Sequence, residues 1–461
     1  SATARTLSLA SGLTRYWIWR NKSRNSISFG GFQWCYFAKG LMMHHRIRKL
    51  GHRTFSSLKI RNYRLYFFGQ AISLSGTWMQ TIAQSWLVLK ITGSGTALGL
   101  IIALQFLPIL LFGAWGGVIA DRFSKRRILF VTQSVSGLLA LILAALVATD
   151  TVQLWMVGVL AFCLGLVNAV DNPTRQTFIL EMVEEDHFPN AVSLNSTQVN
   201  LARVAGPAIG GVLIATIGLA WCFIVNGFSY IAVLAALWFM RPEELNSPPR
   251  QRAKKGRLLA GFRYVGRTPL VRDTLIMMAL IGTLSYEFVV ILPLFAEFTF
   301  HRGAAGYAAL MSAMGAGSAA GGLYTAHRKR RSPAMLVNAA LLFGAVMLVV
   351  AVAPTFSFAI AAMALVGFFS INFLSLGNVL LQLESDRAMR GRVMALWAVA
   401  FLGSTPIGGP IIGWIGEHIG PRWGLAVGGI AAIGAAGFGA WRFGKARGAA
   451  AVAGAPADAV S

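Results

Sequence analysis

The sequence predicts an all-α polytopic membrane protein, with twelve transmembrane helices arranged as two pseudo-symmetric halves of six. Three observations carry that reading. Only 12% of the 461 residues are charged and 56% are hydrophobic, whereas an ordinary soluble domain is about 25% charged. Uncharged runs long enough to cross a ~30 Å hydrocarbon core as helices recur along nearly the whole chain. When those runs are treated as spans, the basic residues sort to one side.

The expected spans are roughly 64–89, 96–120, 128–149, 152–174, 190–216, 219–240, 273–298, 305–326, 333–353, 356–382, 393–416 and 423–441. With the amino terminus in the cytoplasm, 37 of the 41 Lys and Arg fall on cytoplasmic segments. Only Lys90, Arg302 and Arg422 lie outside, and Arg203 alone stands in mid-membrane. This split satisfies the positive-inside rule, and one missed span would scramble it. Both termini are therefore expected in the cytoplasm, with the chain in the inner (plasma) membrane. The net charge of +25 orients the protein and can touch anionic membrane lipid. It is not read as a nucleic-acid surface.

Residues 1–61 carry twelve Lys or Arg and no acid. They read as a disordered basic tail or as an upstream extension ahead of a start at Met42 or Met43. Residues 62–240 make the first six-span half. Span 1 carries a polar stripe at helical spacing: Ser73, Thr77, Gln80 and Gln84. Between spans 2 and 3 stands "GGVIADRFSKRR" (116–127), whose charges are framed by uncharged runs at 91–120 and 128–149. Span 4 holds Asn168 and reaches Asp171 near its cytoplasmic end. Span 5 holds Arg203 and the small-residue run Gly206, Pro207, Gly210 and Gly211.

Residues 241–272 read as a cytoplasmic linker. Leu258, Leu259, Phe262 and Val265 share one face there, which suits a short amphipathic helix on the membrane surface. Residues 273–443 make the second half and 444–461 a flexible tail. Span 7 places Glu287 about 21 Å along the helix, near the midplane. A carboxylate at that depth is costly and is functional by default. Span 10 offers Asn372 and Asn378. The three cysteines, Cys35, Cys163 and Cys222, have no metal-ligand or redox spacing. No metal and no cofactor is expected.

The halves echo each other. "GPAIGG" (206–211) in span 5 answers "GPIIG" (409–413) in span 11, and the end of span 2 answers "GGLYTAHRKRR" (321–331) at the end of span 8. Parallel internal repeats are a transporter signature. Gly113/Gly117, Gly206/Gly210, Gly317/Gly321 and Gly409/Gly413 give spans 2, 5, 8 and 11 the four-residue glycine spacing that lets helices approach closely.

The stretch "GGVIADRFSKRR" resembles the signature of the major facilitator superfamily through Gly117, Asp121, Arg122, Lys125 and Arg126, with Ser124 where the pattern usually has Gly. "NYRLYFFGQAISLSGTWMQ" (62–80), "DNPTRQ" (171–176), "NAVSLNS" (190–196), "ARVAGPAIGG" (202–211) and "RGRVMALW" (390–397) resemble one branch. It comprises twelve-span exporters related to the enterobactin exporter and drug–proton antiporters. The resemblance covers about residues 60–443 and implies the major facilitator fold. It also implies that spans 1, 4, 7 and 10 line the cavity. Asp121 is then expected to face the positive amino-terminal end of span 11 and to latch the cytoplasmic side shut. Asp171 could pair with Lys125 or Arg122. The alternative is that these charges only fix topology, and that the stripe residues bond between helices.

No nucleotide-binding loop GxxxxGK[ST] occurs, so direct drive by ATP is excluded for this chain alone. Ion coupling needs a titratable group at depth, and Glu287 is the candidate. Arg203 could counter it, bind an anionic substrate group or bond to backbone carbonyls. The reading is a bacterial, non-enzymatic exporter of an amphiphilic small molecule, coupled to protons and functional as a monomer. Its rivals are an importer or uncoupled facilitator of the same fold, and a receptor that transports nothing.

Overall fold

The computed structural model describes residues 56–246, 257–327, 332–386, 389–401 and 403–452. The expected basic tail up to residue 55, residues 247–256 of the linker, the basic run 328–331 and the end from residue 453 lie outside the described residues.

Regular structure among the described residues is helical throughout. The first set of helices is α1 (Arg61–Thr92), α2 (Gly95–Arg122), α3 (Lys125–Ala148), α4 (Leu154–Met182), α5 (Phe188–Thr216) and α6 (Leu219–Phe239). A short helix α7 (Arg257–Arg267) follows within the linker. The second set is α8 (Pro269–Leu284), α9 (Phe288–Leu294), α10 (Gly303–His327), α11 (Pro333–Ala351), α12 (Phe356–Leu383), α13 (Arg390–Phe401), α14 (Thr405–His418) and α15 (Pro421–Val452). Turns between helices are tight where local chemistry allows. Gly93 ends α1 at φ 62°, a left-handed position that glycine adopts without strain. Ser94 then starts α2 by accepting a hydrogen bond from the Ala97 amide.

Ten helical runs are long and apolar enough to cross a membrane. The other two expected spans coincide with the helices α1 and α10, of 32 and 25 residues, which do not reach that apolarity. Both fall short in apolarity for a readable reason. α1 buries polar side chains, including Gln70, Ser73, Gln80, Gln84 and Ser85, and α10 is rich in Gly, Ala and Ser. Many large apolar side chains point outward, among them Trp115, Trp238, Val212 and Leu323. Such a surface suits hydrocarbon as solvent.

Within the first set, α1 packs on α5 and α6, α2 on α4, and α3 on α6; within the second, α10 packs on α12 and α11 on α12 and α15. Two seams join the sets: α2 against α14, and α5 against α10. In the linker, Val265 is buried in a cluster with Val271, Leu275, Leu381, Val393 and Leu396, while Phe262 is exposed. The one apolar face expected for this helix is thus divided between packing and surface at these two residues.

Spans 7 and 11 were expected to be continuous, and both are broken. In span 7, α8 ends at Leu284, and Glu287 takes φ −82° and ψ 39° before α9 begins. The α9 helix carries Pro293 and runs into a π-helical turn, Phe295–Thr299. In span 11, α13 and α14 are separate helices, with Gly403 and Ser404 in the turn before Thr405 and Pro406 sits in the first turn of α14. Proline cannot donate to the preceding turn, and glycine tolerates the bend.

Candidate functional site

Glu287 sits at the break of span 7 and is only 4% exposed. Its Oε1 has no hydrogen-bond partner. A Cβ placed on Gly408 would stand 3.0 Å from Oε1, and one on Gly409 would stand 3.6 Å from Oε2. The carboxyl therefore lies against the first turns of α14, where the missing side chains make room for it. Thr405, the first residue of α14, is its hydroxyl neighbour.

The same glycines form the seam with α2. A Cβ on Gly409 would meet the Gly99 carbonyl at 3.1 Å, and one on Gly95 would meet the Gly413 carbonyl at 2.6 Å. At the end of this seam, Glu417 of α14 accepts hydrogen bonds from the Ser94 hydroxyl (2.7 Å), the Thr96 amide (2.9 Å) and the Thr96 hydroxyl (2.5 Å). A carboxylate here satisfies an orphan amide at the amino terminus of α2 and gains from the helix dipole.

The opposite end of α2 is open. Nothing lies within 4 Å of a Cβ on Gly117, and Asp121 and Arg122 are exposed. No ion pair among the described residues involves Asp121. The expected contact of Asp121 with span 11 is not made in this structure. The close-packing glycines of α2 are Gly95 and Gly99 against α14 and Gly116 against Ala169, rather than Gly113 and Gly117. Gly317 and Gly321 likewise pack within their own set, on Ala364 and Phe368 of α12. It is Gly315 that meets α5, where its Cβ would stand 2.8 Å from the Arg203 carbonyl.

Asp171 does not pair with Lys125 or Arg122. The α4 helix continues to Met182, so Asp171 lies inside it, buried at 2% exposure, and not at its end. It accepts hydrogen bonds from Thr132 Oγ1 (2.6 Å) and Gln133 Nε2 (2.9 Å), and pairs with Arg175 at 3.1 Å. Lys125 bonds to Glu181 instead, and Arg126 donates to the carbonyls of Leu237 and Trp238.

Arg203 and Glu287 are not brought together as an ion pair. The Arg203 guanidinium lies over the Trp78 ring, 5.0 Å from its centroid, and its buried Nε has no partner. Tyr286 is within electrostatic reach and donates its hydroxyl to the Ser370 carbonyl at 2.8 Å.

The span 1 stripe is divided in its bonding. Gln80 accepts from Asn226 Nδ2 of α6, and Gln84 donates to Gln105 Oε1 of α2. Ser73 is buried, while Thr77 is exposed and bonds back to the Ser73 carbonyl. Asn372 accepts from Thr325 of α10 and donates to the Phe368 carbonyl. Asn168 is half-buried, and Asn378 has a buried Oδ1 without a partner. The run Gly206, Pro207, Gly210 and Gly211 packs α5 tightly. A Cβ on Gly206 would stand 2.5 Å from Trp78 Cβ of α1, and one on Gly211 would stand 2.5 Å from Ala308 Cβ of α10.

Sequence reading missed Glu417, because its partners lie 321 and 323 residues away. The available signal was an unpaired acid at the end of span 11 and a Ser-Gly-Thr start to span 2.

The chain belongs to the family described as transmembrane secretion effectors, within the major facilitator superfamily, whose model matches residues 52–451. Family membership makes the chain a membrane transporter rather than an enzyme. It is 26% identical over 380 residues to an enterobactin exporter of Citrobacter koseri, covering 80% of this chain and 89% of that one. It is 25% identical over 368 residues to the multidrug efflux pump Tap of Mycolicibacterium fortuitum, covering 77% and 90%. A staphyloferrin A transporter of Staphylococcus aureus is 34% identical over 175 residues, which span 37% of this chain and 44% of that relative. Among solved structures, a bacterial homologue of the human lysosomal transporter Spinster, inward-facing and occupied, superposes with TM-score 0.65 at 14% identity, covering 83% and 97%. A POT family transporter bound to a thioalcohol-conjugated peptide gives 0.67 at 12% identity, covering 82% and 94%. These two likenesses concern the fold.

Proposed function

We propose that the protein exports amphiphilic small molecules of drug or siderophore type in exchange for protons, by alternating access, from the cytoplasm of a bacterium. The observation that carries the coupling is Glu287: buried, with an orphan oxygen, at the break of span 7 and against the glycines of the α2–α14 seam. A buried ionised carboxylate with one oxygen unpartnered is costly, and taking up a proton lowers that cost. Because the carboxyl touches the seam, its protonation and the opening of the seam are coupled events.

Twelve spans in two halves, 62–240 and 273–443, a cytoplasmic linker and cytoplasmic termini follow from the charge split. On that orientation the Gly95 end of α2 faces outward and the Asp121 end inward. The conformation is then inward-open, with Glu417 holding the outer ends together. Asp121 would make the reciprocal contact to span 11 in the outward-open state. The protein works as a monomer in the inner membrane. Names of relatives that export siderophores or drugs support the direction and the substrate range.

An efflux panel of dyes, antibiotics and siderophores, in cells lacking their own exporters, tests this with and without a protonophore. Protonophore-sensitive extrusion is the expected result. Accumulation of every compound equal to vector-only cells would defeat the reading.

A further inference from the structure

We infer that Arg203, with the aromatic surfaces beside it, binds the acidic group of the substrate, so that the preferred cargo is an anionic amphiphile: a carboxylate or phenolate on an aromatic or apolar body. This rests on the export reading above and narrows its substrate class.

Arg203 is the lone basic residue within span 5, and its guanidinium is a cationic group with donors and no acceptor. At that depth an unpaired charge is expensive. The ion pairs among the described residues all use other side chains. Trp78 offsets part of the cost by lying under the guanidinium at 5.0 Å. The Tyr286 hydroxyl is committed to the Ser370 carbonyl and remains a neutral neighbour. Glu287, the acid on the next residue, instead faces Gly408 and Gly409. The site therefore has a cation with no anionic partner among the described residues.

Its position suits a substrate. The Arg203 backbone lies where α5 meets Gly315 of α10, so the residue stands on a seam between the two sets of helices. Trp78 of the first set packs on the guanidinium, and Tyr286 of the second set lies within electrostatic range of it. Tyr286 continues edge-on into Phe401, with centroids 4.7 Å apart, and Phe401 stacks on Trp397 at 5.9 Å with planes 4° apart. Trp397 Nε1 is also buried without a partner. Arg203 Nε and, further along this aromatic row, Trp397 Nε1 are donors without a partner, and the cation beside Trp78 calls for an acceptor-bearing ligand with planar apolar surface. A cationic amphiphile would meet Arg203 as a like charge and be disfavoured.

The test uses two dyes on one xanthene ring: fluorescein, an anion, and the cationic rhodamine methyl ester. Binding to purified full-length protein is read by fluorescence polarisation, and export by efflux from cells. Wild type should bind fluorescein more tightly than the ester. Arg203→Gln should weaken fluorescein roughly tenfold or more and leave the ester equal or tighter. Arg203→Lys keeps the charge but loses the planar fork, and should fall between. Equal fluorescein binding by wild type and both variants would overturn the inference, as would equal loss of both dyes. Should Arg203→Gln not reach the membrane, Arg203→Lys and Trp78→Leu decide by the same ratio of the two dyes. Fluorescein that binds through Arg203 but is never extruded would defeat the export reading and leave the anion site standing.

Discussion

Glu417, near the end of α14, accepts hydrogen bonds from both the amide and the hydroxyl of Thr96, at 2.9 and 2.5 Å. A single carboxylate thus ties the end of span 11 to the beginning of span 2. Replacing it by Gln removes the charge and keeps the shape. Interactions of this kind at a helix amino terminus are worth about 1 kcal/mol at an exposed site, roughly a fivefold shift in population. Spin labels at Lys90 and Ile419 in Glu417→Gln should report an added, longer separation. An unchanged distance distribution would remove Glu417 from the gating scheme.

Asp121→Asn should behave in the opposite way. Asp121 is exposed and makes no ion pair among the described residues, so the conformation seen here should keep its thermal stability. Export should nevertheless fall sharply at normal protein level, because the alternative state loses its contact with span 11. Immunoblotting and vesicle efflux together check this, and normal efflux would leave Asp121 with a topological role alone.

Glu287→Gln keeps the volume of the side chain but cannot exchange a proton. Uphill export driven by a pH gradient should be lost, while downhill exchange of labelled substrate persists. Everted vesicles measure both. Gradient-driven export at the wild-type rate would falsify the coupling role.

Gln80→Ala tests a structural assignment. It leaves the Asn226 amide nitrogen buried without its acceptor, which costs about 1–3 kcal/mol. The melting temperature in detergent should drop, and the pattern of exported compounds should stay the same. A changed substrate pattern at unchanged stability would return Gln80 to the cavity.

The parts of this architecture legible in the sequence are those written locally. The long apolar runs, the charge cluster around Asp121 and the packing run from Gly206 to Gly211 each depend on residues close together in the chain. The breaks in spans 7 and 11 were not legible, because a hydropathy window averages over a three-residue interruption such as Ser285–Glu287. Asp171 was read as near the end of span 4 because the span was ended at residue 174, before Arg175, whereas the helix runs on to Met182. The helix in fact carries Asp171 with its own counter-ion Arg175 one turn later. The partners of Gln80, Gln84 and Glu417 lie 146, 21 and more than 300 residues away, and no periodicity in one strand of sequence announces them.

The middle of the α2–α14 seam brings main chain against main chain: Gly95 and Gly99 on one side, Gly409 and Gly413 on the other. Such a surface has no rotamers to lose when it shuts and none to find again when it reopens. On the alternating-access reading, each turnover would repeat the same closure without a search, and the tilt of whole helix segments would set the gate's speed. A bare backbone joint also offers a passing solute few side-chain handles, so it can seal against many different cargoes while recognising none of them.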